Sequence, residues 1–197
     1  MNSAPLPVIL ASGSPRRREL LEQAGLTFDI EVCEVDESSR TDESPVSLAT
    51  RLARAKAEAV ASTQTKPALV LGADTIVVVG DQILGKPKDA EDAIETLQLL
   101  SGKEHQVITA FAMTQSPECE QWAVRSVHTR VQFLELSRDR IERYVRSGEP
   151  LDKAGSYAIQ GLGGALIERI DGSYSNVVGL PIVEVLECLA RMGGPQL

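Results

Sequence analysis

Paired cysteines, long apolar runs and surplus positive charge are what this chain lacks. Its cysteines, Cys33, Cys119 and Cys188, are odd in number, far apart and without a Cys-x-x-Cys pair. That argues against a disulfide framework or a zinc site and fits a reducing cytoplasm. No apolar run approaches the roughly 20 residues a membrane span requires, and the opening MNSAPLP has neither the basic nor the hydrophobic region of a signal peptide. Residues 1–7 read as a short flexible tail and 8–197 as a single domain. A formal net charge of −8 argues against a general nucleic-acid or anionic-membrane surface. Any anion site must be a local concentration of Arg and Lys against the overall field.

Several catalytic signatures are missing too. No strand leads into Gly-x-x-x-x-Gly-Lys-Ser/Thr, there is no Gly-x-Ser-x-Gly elbow, and the GLGG after Gln160 does not complete a dinucleotide fingerprint. Phosphate-loop chemistry, serine hydrolysis and Rossmann cofactor binding therefore lose support. His105 and His128 read as an exposed and a strand-face residue, without the paired spacing of metal ligands.

What is present is a chain of 197 residues, 43% hydrophobic and 24% charged, enough for a real core. Strand and helix patterns alternate without repeats or long linkers. Val8 to Ala11 reads as a strand, followed by a helix capped by Ser14 and Pro15 that turns Leu20, Leu21 and Ala24 inward and stops at Gly25. FDIEVC alternates like a half-buried strand, and a helix from Ser44 carries Leu48, Leu52, Ala55 and Ala59 as a stripe with Lys56 at its edge. Two strands joined by Gly80-Asp81, suited to a II′ turn, precede a helix over about Asp89 to Leu100. Strands at His105–Met113 and Trp122–Phe133, a helix after Ser137, glycine-rich strands over Ala158–Ile170 and a helix from Pro181 complete the pattern. Hairpins interrupting the βα alternation predict a mixed sheet with helices packed on it.

Two features are out of place. The arginines of SPRRR fill the first turn of a helix, where the exposed amides and macrodipole are already positive and each cation costs on the order of 0.3–1 kcal/mol. Such runs are usually solvated surface, but a polyanion would reverse the penalty. Asp74, inside ALVLGADTIVVV, is a carboxylate in an apolar strand, costly to desolvate unpaired. Counting back from the Gly80-Asp81 turn puts Thr75 opposite Lys86, so that lysine is one candidate partner for Asp74. A divalent cation held with substrate phosphates is the other. The two features together point to phosphate chemistry, with Ser12 or Ser14 as hydroxyl donor and Lys56 and Lys86 completing a cationic lining.

In order along the chain, LASGSPRR, EVDES, RLARAKA, LGADTIV, GKP, LDKAGSYAIQG and VVGLP resemble the landmarks of the Maf proteins, nucleoside triphosphate pyrophosphatases. The resemblance covers nearly the whole chain. It implies an elongated mixed α/β fold related to the inosine triphosphate pyrophosphatases, with helices flanking the sheet and two lobes about a central cleft. It also implies a homodimer and conversion of NTP and water to NMP and pyrophosphate with Mg²⁺ or Mn²⁺. Carried over by position, it makes Asp74 the catalytic carboxylate, with Glu37 as a second metal-associated acid. Ser12, Arg16, Lys56 and Lys86 become phosphate contacts, with Arg17 beside them. Arg16, Thr75 and Gln160 become specificity positions.

SPRR, GADT and IQG match the branch acting on dTTP and UTP, whereas CEVDES leans slightly to the 7-methyl-GTP branch. A primary amide at Gln160 suits a uracil or thymine edge, which presents the O4 acceptor beside the N3 donor. The rival readings are a nucleotide-binding regulator of cell division without turnover and a phosphatase releasing orthophosphate. The carboxylate set beside an anion site argues against the first, since simple triphosphate binding needs no such group, and the phosphatase ranks lower among the enzymatic readings.

Overall fold

A computed structural model describes residues 4–196. Strand β1 (Val8–Leu10) lies between β2 (Asp29–Ile30) and β3 (Ala68–Val79), parallel to both. The remaining strands are β4 (Gln82–Leu84), β5 (Glu104–Ser116), β6 (Trp122–Phe133) and β7 (Ile167–Asp171). The sheet runs β2-β1-β3-β5-β6-β7, with β4 off this path against β3. The helices are α1 (Pro15–Gln23), α2 (Pro45–Ala61), α3 (Ala90–Leu100), α4 (Arg138–Arg146), α5 (Tyr174–Val178) and α6 (Ile182–Arg191). This is the mixed sheet with flanking helices that the alternating pattern predicts.

The chain forms two compact units, one of Met1–Asp74, Thr109–Val127 and Gly179–Leu197, the other of Thr75–Ile108 and His128–Val178. In the first, Ile9 and Ala11 pack with Ala57, Val60, Ala61, Ala68 and Val70. Small residues dominate that contact because α2 crosses β3 closely. A Cβ on Gly72 would lie 2.2 Å from the Ala53 carbonyl oxygen and 2.6 Å from the Ala57 nitrogen, so only glycine lets the backbones approach this far. In the second unit, α3 and α4 pack together, and Leu97, Leu100, Val107, Phe133, Ile141 and Tyr157 share one apolar cluster.

Local signals set most helix starts. Ser44, Asp89 and Ser137 each accept a hydrogen bond from the amide three residues on, as N-caps do. The Gly80-Asp81 turn joins β3 and β4 with Val79 opposite Gln82, and only its first residue has a positive φ, +56°, as in a II′ turn.

Four expectations are corrected. The FDIEVC strand shrinks to the two exposed residues of β2, because β1, its only neighbour, is three residues long. Within Ala158–Ile170, the stretch Gly161–Leu166 is a 3₁₀ turn and only the end of the segment joins β7. There the Glu149 carboxylate accepts from the Leu162 and Gly163 amides, at 3.0 and 2.9 Å, and pulls the backbone out of extended form. On α2 the buried line is Leu48, Ala49, Leu52, Ala53, Ala57 and Val60, which leaves Ala55 and Ala59 half-buried. His105, expected to be exposed, is buried, its Nε2 meeting the buried Tyr157 hydroxyl at 2.7 Å, whereas His128 lies on β6 as expected. Of the tail expected over 1–7, residues 1–3 lie outside the described part, while Leu6 donates to the Gly193 carbonyl and Pro7 accepts from the Leu69 amide.

Candidate active site

The first unit gathers two groups of polar side chains. One sits at the turn from β1 into α1. Arg17 is three and four residues before Leu20 and Leu21, so it shares their inward face of the helix. Arg16 is half-buried and Arg18 exposed. Arg17 Nε donates to the Gly179 carbonyl at 2.8 Å, and its Nη1 donates to Ser12 Oγ at 3.0 Å. The Ser14 amide also donates to Ser12 Oγ, at 3.3 Å. Gly179 can meet Arg17 because it adopts φ +130°, a conformation side chains resist.

The second group is built on α2 and β3. Lys56 Nζ lies 2.7 Å from Asp74 Oδ1 and 2.7 Å from Glu37 Oε1. The ammonium and Asp74 are each only 15% exposed, whereas Glu37 is 59% exposed, so the strong, desolvated interaction is the one with Asp74. Lys56 reaches Asp74 because Gly72, two residues earlier in β3, admits α2 so closely. Glu37 stands on a segment without regular structure, and Arg51 holds that segment to the helix. Its guanidinium grips both oxygens of Glu43, at 2.7 and 2.8 Å, and also donates to the Ser38 carbonyl at 2.9 Å. Arg51 pulls the Glu43 carboxyl down to about 2.

Electrostatics link the two groups. Burial lowers the pKa of Arg17, with the Arg16 charge adding to the effect, while Asp74 and Glu37 hold it up. A guanidinium keeps its charge inside a protein despite this lowering. A buried cation facing two carboxylates is the compensation that desolvation demands.

Of the residues singled out in the sequence, Ser12, Arg16, Arg17, Glu37, Lys56 and Asp74 all belong to this unit. Thr75 follows Asp74 in β3 and is half-buried; Lys86 and Gln160 belong to the second unit, Lys86 exposed and Gln160 half-buried. Two expectations change. The partner of Asp74 is Lys56: the β3–β4 register is the one counted from the turn, but the ladder stops at Val77 and Leu84, and the next carbonyl, Gly85, accepts from Gly155 instead. Arg17, expected beside the phosphates, turns into the protein. Its position on the Leu20/Leu21 stripe was the available signal.

Gly72, Arg51 and Glu149 were missed. A glycine inside an apolar strand is a legible sign of close backbone approach. Arg51 meets Glu43 across eight positions, beyond the three- and four-residue spacing that pairs side chains along a helix. No local pattern links Glu149 to a turn 13 residues away.

The donor set also suits the cation expected here. Asp74 and Glu37 converge on one ammonium, and two carboxylates with phosphate oxygens are the hard ligands that Mg²⁺ or Mn²⁺ takes. Among the described residues no cluster of three or more His, Cys, Asp or Glu forms a closed metal cage.

A mixed α/β fold with a helix N-terminus, arginines and a lysine-held carboxylate gathered in one unit defines a protein built to act on a polyanion. The chain belongs to the Maf family, whose pattern, described as Maf-like protein, matches residues 7–192. It is 48% identical over 187 residues to a dTTP/UTP pyrophosphatase of Desulforamulus reducens, covering 95% of this chain and 97% of that one. It is 51% identical over 182 residues to a dTTP/UTP pyrophosphatase of Salmonella typhimurium, covering 92% and 91%. Among solved structures, a HAM1 protein from Coxiella burnetii matches with a TM-score of 0.49 and 15% identity over 93% of this chain and 98% of that chain. No helix of the described residues is long and apolar enough to cross a membrane.

Proposed function

We propose that this chain hydrolyses dTTP and UTP to the nucleoside monophosphate and pyrophosphate. The observation that carries the reading is Asp74, a carboxylate held by Lys56 at 2.7 Å in the unit that also holds the arginine-bearing start of α1. The names of the relatives supply the substrate class.

In this reaction water attacks the α-phosphorus, its oxygen forms the new P–O bond, and the bond from that phosphorus to the bridging oxygen breaks. Asp74 accepts the water proton and passes it to solvent. Pyrophosphate takes the electron pair of the broken bond. Arg16, Lys56 and Lys86 neutralise charge on the phosphates, and the Ser12 hydroxyl donates to a phosphate oxygen. Asp74 and Glu37 would hold Mg²⁺ or Mn²⁺, which supplies further charge neutralisation when bound. Gln160 reads the pyrimidine edge, its amide oxygen accepting from N3–H and its NH₂ donating to O4, with Thr75 lining the same subsite. The family resemblance supports a homodimer, and the unpaired cysteines support a cytoplasmic setting.

The test is product analysis of the purified protein with Mg²⁺ or Mn²⁺ and a panel of nucleoside triphosphates, separating pyrophosphate from orthophosphate. Pyrophosphate with NMP, fastest from dTTP and UTP, is the expected result. Orthophosphate release, or nucleotide binding without turnover, overturns the reading. Preference for a methylated purine keeps the reaction and overturns the substrate.

A further inference from the structure

The hydrogen bonding at Ser12 is one-sided. Its Oγ accepts from Arg17 Nη1 at 3.0 Å and from the Ser14 amide at 3.3 Å. A hydroxyl has two lone pairs and one proton, so both acceptor positions are taken. Among the described residues no acceptor receives its proton. Ser12 is 8% exposed, at the mouth of the β1–α1 turn, where helix amides already favour an anion.

Arg17 is equally constrained. It is 8% exposed, its Nε is committed to the Gly179 carbonyl, and its Nη1 to Ser12. The rigid fork of a guanidinium makes these bonds mutually dependent: the same plane that reaches Gly179 fixes the angle at which Ser12 is met. A lysine ammonium at the same place would carry the charge without that fork.

We infer that Arg17 is a positioning residue that touches no phosphate: with the Ser14 amide it locks Ser12 as a hydrogen-bond donor toward the substrate, and it ties the Gly179 turn to the same point. This rests on the pyrophosphatase reading and deepens it. Arg16, next in the chain, is the arginine that meets the phosphates. The run of arginines thus divides its labour by helical phase, with Arg17 inward, Arg16 at the margin and Arg18 outward.

A double-mutant cycle on dTTP turnover tests the coupling. Ser12→Ala and Arg17→Lys should each lower kcat/KM by about ten- to a hundred-fold, the range for a hydrogen bond to a charged group. The double variant should be no worse than the poorer single one, since Arg17 acts through Ser12. Multiplying losses overturn the proposal.

A measurement on the wild-type protein keeps the question open to decision if Arg17→Lys fails to fold. Arginine side-chain NMR is recorded with and without the α,β-imido analogue of dTTP, which cannot be cleaved at the reacting bond. Arg17 Nε–H should stay protected from solvent exchange and in place on saturation, while Arg16 shifts. A large Arg17 shift, or phosphorus coupling to its nitrogens, overturns the proposal. If the analogue moves no resonance and wild-type turnover is also absent, the underlying pyrophosphatase reading has failed, and the proposal with it. With wild-type turnover intact, displacement of Arg17 alone identifies failure of the positioning role.

Discussion

Lys56 and Asp74 meet at 2.7 Å, each 15% exposed, one from the middle of a helix and the other from the middle of a strand. Removing the negative charge while keeping the shape should therefore disable chemistry before it disables folding. Asp74→Asn still offers Lys56 an oxygen acceptor, so nucleotide binding should persist while kcat falls by about 10²–10⁴-fold, the usual contribution of a general base. Parallel measurement of kcat and of the dissociation constant for the α,β-imido analogue checks this. A variant with wild-type kcat removes Asp74 from the chemistry.

Gly72 makes that meeting possible, and its replacement should be felt in both stability and activity. In Gly72→Ala the new methyl lies 2.2 Å from the Ala53 carbonyl oxygen, a backbone atom that can yield only if α2 moves. Overpacking of this kind costs about 1–3 kcal/mol, which for a chain of this size lowers Tm by roughly 2–12 °C. Because Lys56 rides on α2, kcat should drop as well. Calorimetry and kinetics on one preparation decide the point, and an unchanged Tm would mean the helix has room.

The Glu149 carboxylate organises the turn that follows Gln160. It accepts from the Tyr144 hydroxyl at 2.9 Å as well as from the Leu162 and Gly163 amides. Glu149→Ala should loosen that turn and narrow the preference for dTTP over other triphosphates, with a smaller loss of turnover itself. Gln160→Glu should go further, since a carboxylate has no proton to give O4. Competition assays with mixed nucleotides read both effects; an unaltered preference in Gln160→Glu would take that residue out of base reading.

His105 predicts an acid-side loss of stability. Burial lowers its pKa to about 4; its Nε2 pairs with the buried Tyr157 hydroxyl at 2.7 Å, and its Nδ1 has no partner among the described residues. The unfolded chain takes up a proton below its ordinary value near 6.5 while the folded one does not until about 4. Stability from this site is therefore complete above pH 6.5, falls as pH drops toward 4 and then levels off. The loss should reach roughly 2 kcal/mol at pH 5. Urea unfolding of the wild type and His105→Gln at pH 7 and pH 5 isolates the contribution, and identical pH dependence in the two proteins would refute it.

The elements with strong local causes were legible in the chain itself. Ser44, Asp89 and Ser137 cap the helices they were expected to start, and the Gly80-Asp81 turn fixes the β3–β4 register by its own backbone preference. Asp74 could be singled out because a carboxylate in an apolar strand violates a local rule, and such violations mark places where something else compensates. The family landmarks carried the rest of the site. Partners distant in sequence could not be read in this way. That Asp74 pairs with Lys56, that Arg17 reaches Gly179 across 162 positions, and that Glu149 bends the Gly161–Leu166 segment into a turn are consequences of packing. Periodicity and capping act over one turn of helix or a few residues of strand, so sequence determined which residues were chemically out of place. Only the tertiary structure, by letting α2 settle onto Gly72, decided which of them meet.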